Sequence, residues 1–126
     1  MSDDDRRVAE KMLPLTPAVF HILLALADGE KHGYAIMLEI GARTDGAMRL
    51  GPGTLYGSIQ RMLKDGLIVE AQERADATHG GERRRYYRLT SFGLRVLQAE
   101  ARRLEQLVHI AQSKQVLPGF SAMGGM

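Results

Sequence analysis

Cysteine and tryptophan are absent from this 126-residue chain, and aromatic residues of all kinds make up only 6% of it. Without thiols there is no disulfide scaffold, no thiolate zinc site, no cysteine nucleophile and no thiol-based redox or metal sensing. Without tryptophan, a flat aromatic ligand has only Phe, Tyr or Met side chains to pack against. Long apolar runs are missing too. The longest, residues 19–27, is interrupted by His21 and falls far short of the roughly 20 residues a bilayer requires. Met1 is followed by Asp3, Asp4 and Asp5, where a secretory signal would place a basic region and then an apolar stretch. A soluble, cytoplasmic protein with no membrane partner is expected. The chain has no Walker loop, no nucleophile elbow and no paired carboxylates in a plausible cleft, so it is not expected to be an enzyme. His21, His32, His79 and His109 stand at no metal-ligand spacing, so neither a metal nor a cofactor is expected. His32, just before Gly33, reads as a helix-start or packing residue.

What remains is ordinary globular composition, 44% hydrophobic and 25% charged. The length suits one domain with a hydrophobic core plus appendages and leaves no room for a separate ligand-binding domain. The formal net charge is only +2, but it is unevenly spread. Residues 1–5 carry three aspartates and no base; residues 49–64 carry three bases and no acid; residues 82–88 carry four arginines against one glutamate. A local basic excess of this kind is the electrostatic footprint of a nucleic-acid partner.

Four helical segments and one hairpin are legible. Residues 1–13 form an arm in which Val8 and Met12 stand four apart; a short helix with Asp3 or Asp4 as N-cap and a frayed terminus are equally compatible with it. Thr16-Pro17 reads as an N-cap followed by proline at the first helical position, and Val19, Phe20, Ile22, Leu23, Leu24 and Leu26 make that helix apolar almost all round, as a central core element would be. A second helix runs from Tyr34 to about Arg43, with Ile36, Met37 and Ile40 on one face. A third opens at Gly51-Pro52 and reaches Asp65 before Gly66 stops it. Its Leu55, Ile59, Met62 and Leu63 form an apolar stripe, opposite a short, polar, basic face of Thr54, Gly57, Ser58, Arg61 and Lys64, with Tyr56 and Gln60 flanking.

Residues 67–72 and 83–89 are rich in strand formers and read as a β-hairpin with a long tip containing Gly80-Gly81. In its second strand Tyr87 and Leu89 share the inward face and Arg84, Tyr86 and Arg88 the outer one. Thr90 or Ser91 caps a last helix reaching about Leu117, roughly 40 Å long at the standard rise. Leu94, Leu97, Ala101, Leu104, Val108 and Ala111 are spaced 3, 4, 3, 4, 3, the a/d pattern of a helix that needs a partner helix, and Leu107 and Ile110 widen the stripe. The alternative, folding back on its own core, is awkward at that length. The fold class is therefore mainly α with a small β-hairpin: a winged helix-turn-helix at 14–90, a dimerisation helix at 91–117 and a flexible tail at 118–126.

In that arrangement the third helix enters the major groove of double-stranded DNA while the hairpin wing rides on the adjacent backbone or minor groove. Gly53, Thr54, Gly57 and Ser58 let the helix backbone approach closely. Arg61 and Lys64 are candidates for phosphate or guanine, Tyr56 for a phosphate hydrogen bond, and Arg83, Arg84, Arg85 and Arg88 for salt-sensitive wing contacts. Each has a plainer reading, since a polar basic helix face is usually just solvated. Tyr56, Tyr86 and Tyr87 suit a core equally, and for Tyr87 the core is preferred. A winged-helix module that docks on another protein through the same surfaces is the competing function.

The motifs also carry a family resemblance. Leu15-Thr16-Pro17, His32-Gly33-Tyr34, Pro52-Gly53-Thr54-Leu55-Tyr56, Asp65-Gly66-Leu67-Ile68 and Arg85-Tyr86-Tyr87-Arg88-Leu89-Thr90 occur in the order seen in the PadR family of bacterial transcriptional regulators, which residues 14–95 resemble. The resemblance implies a homodimeric repressor on a pseudo-palindromic operator, similar to the branch with a single C-terminal dimerisation helix. It also implies release by a small aromatic effector, for which Met12, Phe20, Leu104 and Val108 are the candidate lining residues. Where the family often has serine, this chain has Gly51. That removes a side-chain cap, at roughly a few tenths of a kcal/mol, and with it the hydroxyl that the resemblance would offer to a phosphate.

Overall fold

A computed structural model describes residues 3–76 and 80–119; His79 and all but the first two residues of the expected tail lie outside them. The arm is helical. In α1 (Asp3–Glu10) the three aspartates sit in the first turn, where the helix dipole favours them, and Ala9 is buried. Helix α2 (Pro17–Ala25) starts as its sequence implies, with the Val19 amide donating to Thr16 Oγ1 at 3.2 Å. Helix α3 (Gly33–Arg43) is capped by His32, whose Nδ1 accepts the Ala35 N–H at 3.0 Å. Helix α4 (Pro52–Lys64) begins at Gly51 with no side-chain cap, and Gly66 follows its end at φ 76°.

Helix α5 (Ser91–Ser113) is capped by Thr90, whose Oγ1 accepts the Gly93 N–H at 2.9 Å. It ends at Ser113, short of the expected Leu117. Gln115 takes φ 63° and the Val116 N–H bonds back to the Ala111 carbonyl at 2.8 Å, a Schellman closure. Because glutamine fills the place where glycine usually marks such a stop, no local signal announced it.

The hairpin is more elaborate than expected. Strands β1 (Lys31–His32), β2 (Ile68–Glu70) and β5 (Tyr86–Leu89) form one antiparallel sheet in the order β1-β5-β2, with Lys31 opposite Tyr87 and Ile68 opposite Leu89. Strands β3 (Arg74–Ala75) and β4 (Arg83–Arg84) pair separately as an outer ribbon. Tyr87 is inward and Arg88 outward, as alternation requires. Tyr86, expected outward, is half-buried, because β1 pairs along this edge and sets the His32 ring edge-on to it at 5.2 Å.

One core joins these elements. Ile22 and Leu23 of α2, Ile36 and Ile40 of α3, and Leu55, Ile59 and Met62 of α4 are all buried, together with Ile68, Tyr87 and Val96. Full burial of each large aliphatic side chain contributes about 1.5–3 kcal/mol. Helix α5 crosses this core at Gly93, where a Cβ would stand 1.9 Å from the Leu67 carbonyl oxygen.

The apolar stripe of α5 is divided in two. Leu97 was expected in the dimer seam, yet it is buried in the chain's own core, as are Val96 and Glu100, because α1 and α2 pack on this half of the helix. Leu94 and Ala101 stay exposed, and Leu104 and Ala111 are half-buried. Beyond Leu104, Leu107, Val108 and Ile110 are exposed.

Candidate nucleic-acid interface

Helix α4 buries Leu55, Ile59 and Met62, which turns Gly53, Gly57 and Lys64 to the opposite side. Gly53, Thr54, Tyr56, Arg61 and Lys64 are exposed, so the outward face combines a nearly bare backbone with basic and hydroxyl groups. Ser58 does not belong to this face. It stands one turn after Leu55, is buried, and its Oγ accepts from Arg61 Nη2 at 3.4 Å; its place among the DNA-facing residues is corrected accordingly.

The two flanks of α4 differ. Tyr56 and Gln60 face the wing across a cleft of 280 Å³ that is also lined by His32, Gly33, Arg83, Arg84, Arg85 and Tyr87. Arg61 lies on the other flank, in a groove with Met12, Leu15 and Asp65. Gln60, not among the expected site residues, lines the cleft because it lies one helical turn beyond Tyr56. The ring of Tyr56 is seated against the backbone of Gly33.

The wing arginines are held by carboxylates. Arg83 Nε donates to Glu73 Oε1 at 3.1 Å, and Arg85 Nη1 lies 3.6 Å from Glu70 Oε1; both side chains remain about two-thirds exposed. Arg88, expected with the other wing arginines, is exposed on β5 but stands apart from this cleft, in a groove with Leu26, Gly29, Glu30 and Leu94. Arg84, expected on the outer face, is turned inward, with Nε 3.2 Å from Asp76 Oδ2 and its guanidinium 5.1 Å from the centre of the Tyr34 ring. The pull comes from Asp76, which is itself 3% exposed and 2.7 Å from His32 Nε2. Nothing in the spacing of Asp76 and His32 along the chain signals this contact. Burial pushes the Tyr87 phenol above its ordinary pKa, aided by the Glu70 carboxylate.

The expected effector residues are not assembled within one chain. Met12 lines the Arg61 groove with Pro14, Leu15, Val19, Met62 and Leu67, whereas Phe20 packs at the edge of the core and Leu104 and Val108 lie on the outer half of α5. Among the described residues no helix is long and apolar enough to cross a membrane.

Residues 22–99 match the model of the transcriptional regulator PadR-like family. The chain is 37% identical over 105 residues to the transcriptional regulator Rv3488 of Mycobacterium tuberculosis, covering 83% of this chain and 87% of that protein. Among solved structures, a transcriptional regulator from Clostridium thermocellum superposes with a TM-score of 0.62 at 26% identity, over 90% of this chain and 96% of the other. Bacillus subtilis PadR, solved in complex with operator DNA, shares the fold with a TM-score of 0.57 at 21% identity, over 68% of this chain and 46% of its own.

Proposed function

Because the chain belongs to the PadR-like family of transcriptional regulators, we propose that it binds a pseudo-palindromic operator as a homodimer and represses transcription there. Helix α4 enters the major groove with Gly53, Thr54, Gly57 and Lys64 foremost, and the wing sets Arg83 and Arg85 on the flanking phosphates. The observation that carries this reading is the cleft in which Tyr56 and Gln60 of α4 meet three wing arginines. It brings reading helix and charged wing to one side of the molecule. A second copy is needed to cover Leu107, Val108 and Ile110, because a row of exposed apolar side chains at the end of a helix is stabilised by burial against another helix.

Release by a small aromatic molecule forms the finer part of this proposal. Leu104 and Val108 belong to the half of α5 assigned to the second copy, so the pocket is completed only in the dimer. Selection of bound duplexes from a random pool tests the whole reading. Enriched sequences with two-fold-related half-sites, centred roughly 34 Å apart, support it, whereas no enrichment overturns it and leaves protein docking as the use of this face.

A further inference from the structure

The wing's outer ribbon, β3 and β4, is not part of the domain's three-stranded sheet. A two-stranded ribbon of this length has little stability of its own, so something must hold its angle. His32 meets Asp76 where β3 runs into the ribbon's closing turn, each with a side chain only 4% exposed. The His32 ring already spends Nδ1 as acceptor for the Ala35 N–H, so its proton resides on Nε2 and is donated to Asp76 Oδ2 at 2.7 Å. Tyr34 stacks on the same ring at 6.4 Å and Tyr86 meets it edge-on at 5.2 Å. The ring therefore has one orientation, fixed by a helix end on one side and the wing on the other. Asp76 in turn accepts the Gly81 N–H at its carbonyl, donates its own N–H to the Glu82 carbonyl at 2.8 Å, and holds Arg84.

We propose that His32 and Asp76 are positioning residues for DNA recognition: their buried hydrogen bond locks the β3–β4 ribbon against the start of α3, and so sets where Arg83 and Arg85 stand relative to α4. Neither side chain is exposed enough to touch DNA, and both act through the wing. This inference rests on the proposed function, in which the wing meets phosphate.

The sign of one substitution separates positioning from plain charge. Asp76→Ala removes a negative charge from a DNA-facing element, so electrostatics alone predicts tighter binding. A wing released from its productive angle binds more weakly in proportion to the population lost. Operator affinity of Asp76→Ala is therefore expected to fall roughly tenfold or more, while Asp76→Asn, which keeps an acceptor for the imidazole N–H, stays within a few fold of the parent. Hydrogen exchange of the Gly81 and Asp76 amides is expected to quicken in the alanine variant and not in the asparagine one. In the parent, imidazole nitrogen NMR should show His32 Nε2 protonated and Nδ1 bare. Unchanged or tighter operator binding by Asp76→Ala, or unchanged exchange, overturns the proposal. If the parent binds no DNA, the proposed function fails, and exchange with the imidazole spectrum still decides whether the pair locks the wing.

Discussion

The ring of Tyr56 occupies the space that a side chain at Gly33 would fill: a Cβ there would stand 2.5 Å from the phenolic oxygen and 2.8 Å from Cζ. The first turn of α3 thus provides a bare floor on which a residue of the recognition helix lies, which explains the need for glycine at a helix start that has no unusual φ.

Gly33→Ala should therefore swing Tyr56 out of the cleft. The phenol is the far end of a hinged side chain, so thermal stability should change by no more than about 1 kcal/mol, the scale of a Gly-to-Ala helix effect. Operator affinity should fall by several fold, on the order of one hydrogen bond. A melting curve with a binding titration checks both, and unchanged affinity would remove Tyr56 from the interface.

Glu100 of α5 ties its helix to the segment between α1 and α2, 85 residues earlier in the chain. Its Oε2 accepts the Leu15 N–H at 2.7 Å and its Oε1 accepts from Arg103, with the side chain 2% exposed. The Arg103 hydrogen bond, against the opposing effect of burial and with help from the Leu15 amide, holds the carboxyl below its ordinary pKa. A depressed pKa stabilises the fold fully above the ordinary carboxyl value of 4.5, and progressively less as pH falls through it toward the folded value. Glu100→Gln should cost about 1–3 kcal/mol at neutral pH, and its difference from the parent should shrink in acid. A gap that widens as pH falls would contradict the assignment.

The two halves of α5 should respond differently to substitution. Leu107→Glu with Val108→Glu alters only side chains exposed in the single chain, so sedimentation should show a folded monomer. Leu97→Ala opens the core instead and should cost about 2–5 kcal/mol in unfolding. A dimer that survives the double substitution would overturn the proposed interface.

Much of this was legible because each helix of the winged domain carries its own signals. Thr16-Pro17, Pro52 and Thr90 mark starts, and Leu55, Ile59 and Met62 mark the buried face of α4. What escaped depends on contacts between distant segments. β1 is only two residues long and has no periodicity to detect. Ser58 reads as polar and outward, but its place one turn after Leu55 puts it inside. Leu97 and Val108 obey one heptad rule, and only the packing of α1 and α2 decides that the first serves the core. Arg84 counts as a wing charge until Asp76 turns it inward.

If α4 and the wing grip DNA together, binding to a selected operator duplex must depend on salt between about 50 and 200 mM. The parent should lose affinity steeply and linearly on logarithmic axes, with a slope of about −0.9 per phosphate neutralised. Lys64→Ala on the helix and Arg85→Ala on the wing should each make that slope shallower by about 1. Binding that is indifferent to salt, or a slope that neither substitution alters, would contradict that joint grip.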